Sequence, residues 1–142
     1  MLARLARWLR ALGCDTALAG EGEADAALVR RARAEGRLLL TRDRRLAADA
    51  PEDCLLLTSG EPMAQLRMVL AHAGVARAEL RFTRCLLCNT PLEPADAGDP
   101  RVPAAIRDAS IPVLGCPECG RLYWEGAHTR RMRAALARAF GA

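Results

Sequence analysis

Two C-x-x-C pairs, Cys85-Leu86-Leu87-Cys88 and Cys116-Pro117-Glu118-Cys119, stand 27 residues apart and account for four of the six cysteines. Each pair makes a tight turn that presents two sulfurs to one tetrahedral ion, and Gly120 after the second pair lets backbone amides approach those sulfurs. Four thiolates leave no open coordination position, so the Zn²⁺ they imply is structural. Such a centre carries −2 and would bring the formal net charge from +4 to +2. Zinc binding in comparable peptides is worth on the order of 10–16 kcal/mol, which in a segment with little core is folding free energy. A redox dithiol would need a thioredoxin-like context and disulfides an oxidising compartment, and neither is signalled. Cys14 and Cys54 have no sequence partner and are expected as buried small hydrophobes.

The second chemistry is acidic. Asp43 lies one residue beyond the apolar run 38–41 and is flanked by Arg42 and Arg44. In a parallel α/β sheet ligands bind beyond the carboxyl ends of the strands, so this carboxylate is placed to hold a divalent metal over a phosphodiester. Asp25, opening a helical pattern, is the next candidate. Each has a plainer alternative. Asp43 can cap the short helix that follows it, and Asp25 can complement the amino-terminal end of its own helix.

The elements that must position these groups are legible in the apolar pattern. Leu2, Leu5, Leu9 and Leu12 fall within an arc of about 80°, which predicts a helix over 2–12 with Arg4, Arg7 and Arg10 opposite. A short strand is expected at 15–18, a helix at 24–34 stopped by Gly36, and a strand at 38–41 buried on both faces. A short helix at 44–49, a strand at 54–57 and a helix at 62–73 opened by Pro62 follow. Strands alternating with helices predict a parallel sheet. The chain starts inside a helix where such a fold usually has a central strand, so a first strand is expected to be missing. Composition shifts near residue 81. Segment 89–112 contains Pro91, Pro94, Pro100, Pro103 and Pro112 and reads as a long loop with one helical turn at 103–108. A basic helix is expected at 129–140. Two domains result, an α/β domain over 1–80 and a zinc ribbon with its C-terminal helix over 81–142.

Three stretches stand out: Met1-Leu2-Ala3-Arg4-Leu5-Ala6-Arg7-Trp8-Leu9-Arg10, Leu12-Gly13-Cys14-Asp15-Thr16, and Glu35-Gly36-Arg37-Leu38-Leu39-Leu40-Thr41-Arg42-Asp43. Together with the two cysteine pairs and Tyr123-Trp124-Glu125-Gly126-Ala127-His128-Thr129-Arg130-Arg131-Met132, they resemble the Mut-7 C-terminal RNase domain family. The resemblance implies a PIN-like nuclease fold with a parallel sheet and flanking helices, fused to a four-cysteine zinc ribbon. It implies carboxylates gathered around Mg²⁺ or Mn²⁺ and RNA hydrolysed by a metal-activated water. Asp43 matches the acid of the Thr-Arg-Asp motif, and Asp25 the acid opening the second helix. The family's leading acid precedes the residue matched by Met1, so cleavage by this chain is expected to be weak. A catalytically silent RNA- or protein-binding module is the alternative.

The remaining expectations concern partners and place. All 21 basic residues are Arg, a planar fork suited to phosphate. Arg4, Arg7 and Arg10 form one stripe, and Arg130 and Arg131 belong to another. Either is a solvated helix face or, with Arg42 and Arg44, a phosphate contact that positions RNA. Trp8 is expected in the core, Trp124 packing the ribbon, and His128 as a satisfied structural histidine. No apolar run approaches the ~18 residues of a membrane span, and no apolar stretch follows the early arginines as a signal peptide requires. A cytoplasmic protein is expected, with RNA as its partner and a homodimer or protein partner possible by base rate.

Overall fold

The computed structural model describes residues 2–141. The chain is mixed α/β and divides into two compact units. One is built from residues 3–17 together with those from 76 onward, and the other from Leu2 and Leu18–Val75. No helix among the described residues is long and apolar enough to cross a membrane.

The Leu18–Val75 unit holds helix α2 (Asp25–Glu35), strand β1 (Leu39–Thr41), helix α3 (Arg44–Asp49), strand β2 (Cys54–Leu56) and helix α4 (Pro62–His72). β1 and β2 pair in parallel, Leu39 opposite Cys54 and Thr41 opposite Leu56. Local chemistry fixes each boundary. Gly36 adopts φ 63° and lets its own amide close onto α2, a left-handed conformation that costs glycine little. Glu61 accepts from the amides of Met63 and Ala64 and so caps α4, with Pro62 in its first turn. Buried Gln65 donates to the Ser59 carbonyl at 2.8 Å and holds the preceding loop. Arg33 pairs with Asp53 at 2.7 Å, tying α2 to the residue before β2. The buried apolar residues of this unit are Ala32, Leu46, Ala50, Leu57, Leu66 and Leu70.

The other unit begins with helix α1 (Ala3–Ala11) and continues with strand β3 (Glu93–Pro94), helix α5 (Ala104–Asp108), strands β4 (Val113–Gly115) and β5 (Leu122–Trp124), and helix α6 (Ala127–Phe140). The three strands form an antiparallel sheet in the order β3-β4-β5. Ala11, Leu86 and Met132 are buried together, with Trp8, Leu80, Phe82 and Tyr123 packed around them. Trp8 is therefore a packing residue, as its position beside the leucine arc suggests.

Four expectations change. Residues 15–18 form no strand, because the Thr16 amide donates to the Asn89 side chain at 2.9 Å rather than to a neighbouring strand. The run 38–41 is not buried on both faces: Leu38 is 40% exposed and Leu39 and Leu40 are half-buried, since the sheet around them has two strands. Helix α1 groups with the α/β residues by composition, yet it packs with the ribbon. Cys14 is exposed and Cys54 half-buried, so neither is a fully buried hydrophobe.

Candidate functional site

The four sulfurs of Cys85, Cys88, Cys116 and Cys119 lie within 4.8 Å of one another, and no other group of three or more His, Cys, Asp or Glu ligands is so gathered among the described residues. The Cys85 and Cys119 sulfurs are 3.7 Å apart. Zn–S bonds of about 2.3 Å at tetrahedral angles require sulfur–sulfur edges of about 3.8 Å, so the donor set fits a metal such as zinc. The cysteines are pre-arranged by their turns. The Cys88 amide points at the Cys85 sulfur at 3.4 Å, and the Cys119 amide at the Cys116 sulfur at 3.5 Å. Each turn ends in a left-handed residue, Gly120 at φ 75° and Asn89 at φ 66°. Sequence reading identified the glycine but not Asn89, the one residue type besides glycine and aspartate that enters this region readily.

Asn89 also anchors the first turn. Its Oδ1 accepts from the Thr16 amide, and its Nδ2 donates to Asp15 at 2.7 Å. The second turn has a comparable brace: Arg101 donates to the Gly120 carbonyl at 2.8 Å while forking onto Asp99. Tyr123 serves the cluster from β5. Its hydroxyl accepts from the Leu86 amide at 3.1 Å and lies 3.2 Å from the Cys85 sulfur, which leaves its own proton for that sulfur. Burial opposes ionisation of Cys85, but the Tyr123 hydroxyl and the amides of Cys88 and Leu87 outweigh it and bring the thiol down to about 6. The Tyr123 hydroxyl is correspondingly raised, by burial first and by Cys85 second.

Arg10 leaves the predicted phosphate-binding stripe. It is 4% exposed. Its Nη1 donates to the carbonyls of Leu86 and Leu87 at 2.9 and 3.1 Å, and its Nε to the Thr16 carbonyl at 2.9 Å. Leu86 and Leu87 are the two residues between the first pair of cysteines, so the guanidinium grips the turn from behind. Burial lowers its pKa, and the nearby Cys85 and Cys88 thiolates work against that. A buried cation beside sulfur anions is the expected partner for a centre of negative net charge.

The acidic candidates lie in the other unit, and both are exposed. Asp43 sits at the carboxyl end of β1 and caps α3: its Oδ1 accepts from the amides of Arg45 and Leu46 at 2.9 and 3.2 Å. Asp25 occupies the first turn of α2, whose cap residue Ala24 supplies no side-chain hydrogen bond. The structural alternative for Asp43 is thus realised. Asp25 and Asp43 belong to no cluster of three or more ligands among the described residues.

The other arginines of the expected phosphate contacts, Arg4, Arg7, Arg42, Arg44, Arg130 and Arg131, are all exposed. Arg42 lies over Gly60, where an added Cβ would come within 2.7 Å of its Nη1. Arg133 of α6 instead pairs with Glu125. His128 is exposed and stands outside the sulfur cluster, so it is neither a ligand nor a buried structural histidine. A cavity of about 390 Å³ in the ribbon unit, lined in part by Arg81, Arg121 and Trp124, had no signal in sequence spacing.

No curated protein and no solved structure matches the chain. A family model described as the Mut7-C RNAse domain matches residues 1–136. The match spans both the sulfur cluster and the acidic positions, and by it the chain belongs to the Mut7-C RNAse domain family.

Proposed function

We propose that this chain is a PIN-like nuclease that hydrolyses RNA phosphodiester bonds in the cytoplasm. Zn²⁺ would serve as a structural ion on Cys85, Cys88, Cys116 and Cys119, and Mg²⁺ or Mn²⁺ would bind at Asp43 and Asp25. The family match over residues 1–136 carries the reading. Asp43 follows β1 at the carboxyl end of a parallel pair, between exposed Arg42 and Arg44, where anionic ligands of α/β sheets bind. Mg²⁺ keeps most of its waters and takes one or two carboxylates plus substrate phosphates. The two exposed acids meet that donor chemistry. When bound, such an ion supplies charge neutralisation at the phosphodiester and acidifies a bound water.

A second reading is a silent RNA- or protein-binding module. It is favoured by one observation: Oδ1 of Asp43 already caps α3 with two amides. Asp43→Asn separates the two, because Asn caps a helix about as well as Asp while losing its charge. The zinc-loaded chain is titrated with Mn²⁺ and assayed on single-stranded RNA. The nuclease reading expects Mn²⁺ binding and Mn²⁺-dependent cleavage, both lost in Asp43→Asn with an unchanged melting temperature. Cleavage unaffected by the substitution would overturn the assignment of Asp43, and zinc as the sole bound metal would favour the silent module.

A further inference from the structure

The ribbon unit contains a cavity of about 390 Å³ whose walls combine apolar and cationic groups. Its volume falls within the range of about 300–1,000 Å³ typical of small-molecule sites. Phe82, Leu86 and Trp124 supply apolar wall, and Arg7, Arg81 and Arg121 supply charge. The three arginines are exposed, and among the described residues none has a carboxylate within ion-pairing distance. Glu125 also lines the cavity, but its carboxylate is engaged by Arg133 and by the Thr129 hydroxyl. An apolar floor flanked by unneutralised planar cations complements a flat ring joined to an anion. A nucleotide has that chemistry: the base stacks on an aromatic side chain and the adjoining phosphates meet guanidinium forks.

We propose that this cavity binds one unpaired nucleotide of a single-stranded RNA, with its base against Trp124 and its flanking phosphates at Arg7, Arg81 and Arg121. The choice of polymer rests on the RNase reading above, whereas the site itself uses none of the acidic residues. The base must be unstacked to enter, so a duplex does not fit. The phosphate contacts fix position without reading sequence.

Binding of a six-nucleotide single-stranded polyadenylate RNA to the zinc-loaded chain tests this, with tryptophan fluorescence and anisotropy as readouts. Tryptophan emission should be quenched on binding. Trp124→Ala should weaken affinity on the order of tenfold or more, and Trp124→Phe much less, because a ring remains. Arg81→Gln and Arg121→Gln should each weaken binding and lower the salt slope by about 0.7 per lost phosphate contact. Arg107→Ala, on exposed α5 away from the cavity lining, should bind as the parent does. Equal zinc content across the variants checks that they fold, and the two Arg→Gln changes at exposed positions keep the test alive if Trp124→Ala does not. Affinity unchanged in Arg81→Gln and Arg121→Gln, or in a folded Trp124→Ala, would overturn the proposal. So would equal binding of a duplex, or capture of an apolar peptide in the cavity without competition from RNA. Neither Asp25 nor Asp43 lines the cavity, so cleavage is scored separately: its loss in Asp43→Asn sustains the hydrolase reading and its persistence sinks it, whatever the cavity variants do.

Discussion

Replacing Arg10 by Met isolates what a buried cation does behind the sulfur cluster. Met keeps most of the unbranched stem and its packing but removes all donors. Three carbonyls then lose a charged partner, those of Leu86, Leu87 and Thr16. A buried acceptor left without a partner costs about 1–3 kcal/mol. Leu86 is 4% exposed and should bear nearly all of that cost. The other two bonds are only partly buried, so water can recover part of theirs. The guanidinium's own desolvation is regained, which trims the total. The expected loss is about 3 kcal/mol, or about 6–12 °C in melting temperature for a chain of this size. Arg10→Lys keeps the charge but offers a compact ammonium that cannot span three acceptors in a fixed fork. It should lose roughly half as much. Denaturant unfolding at saturating zinc, followed by far-UV circular dichroism and by zinc release, measures both. A value for Arg10→Met within about 0.5 kcal/mol of the parent would refute the reasoning. It would mean that the three bonds are replaced by water at no net cost.

Other consequences are as direct. Cobalt(II) in place of zinc should give the intense visible absorption of a tetrahedral thiolate site, and Cys85→Ser should lose it together with the ribbon's fold. Asn89→Ala should destabilise by about 2–3 kcal/mol, through a left-handed backbone penalty of about 1–2 kcal/mol and two lost side-chain bonds. Asn89→Gly should fall short of that, because the backbone penalty vanishes; equal losses would argue against the left-handed turn. Asp43→Ala should cost about 1 kcal/mol of thermal stability as a lost cap, whereas Asp43→Asn should cost a few tenths at most. Arg33 holds the Asp53 carboxyl below its ordinary 3.8, chiefly by its hydrogen bond. A carboxylate with a lowered folded-state pKa stabilises above its unfolded value and loses that contribution as pH falls through the folded value. Carboxyl NMR should therefore find Asp53 titrating below 3.8 and rising in Arg33→Gln.

The parts of the fold that could be read in advance are those fixed by neighbours in sequence. Helix α3 spans Arg44–Asp49 as expected, because its cap and its buried Leu46 lie within a few residues. α2 and α4 end where Gly36 and Gly74 permit. The four sulfurs converge because each turn is local chemistry repeated. What resisted reading depends on distant groups. Arg10 looks like a solvent-facing position by helical period, and only the carbonyls of Leu86 and Leu87, more than seventy residues on, turn it inward. Thr16 looks like a strand residue until Asn89 takes its amide. The acids behaved differently again. Their positions after β1 and at the head of α2 were legible, but capping and metal binding use the same oxygen atoms, and spacing cannot separate those uses.

Helix α1 meets its packing partners only after the long excursion Leu18–Val75 has been traversed. Ala11 is buried in one cluster with Leu86, 75 positions later, and with Met132, 121 positions later. On a ribosome adding about 5–20 residues per second, that interval lasts roughly 6–24 s. Through the first part of it, until Leu80, Phe82 and Leu86 follow, the Trp8 and Ala11 side of α1 is made but unclaimed, a waiting surface for a chaperone or for aggregation. The intervening α/β unit has no such delay, since its own contacts close within its own span. The nascent chain thus matures from the middle outwards, and the metal-binding half is the last to be sealed.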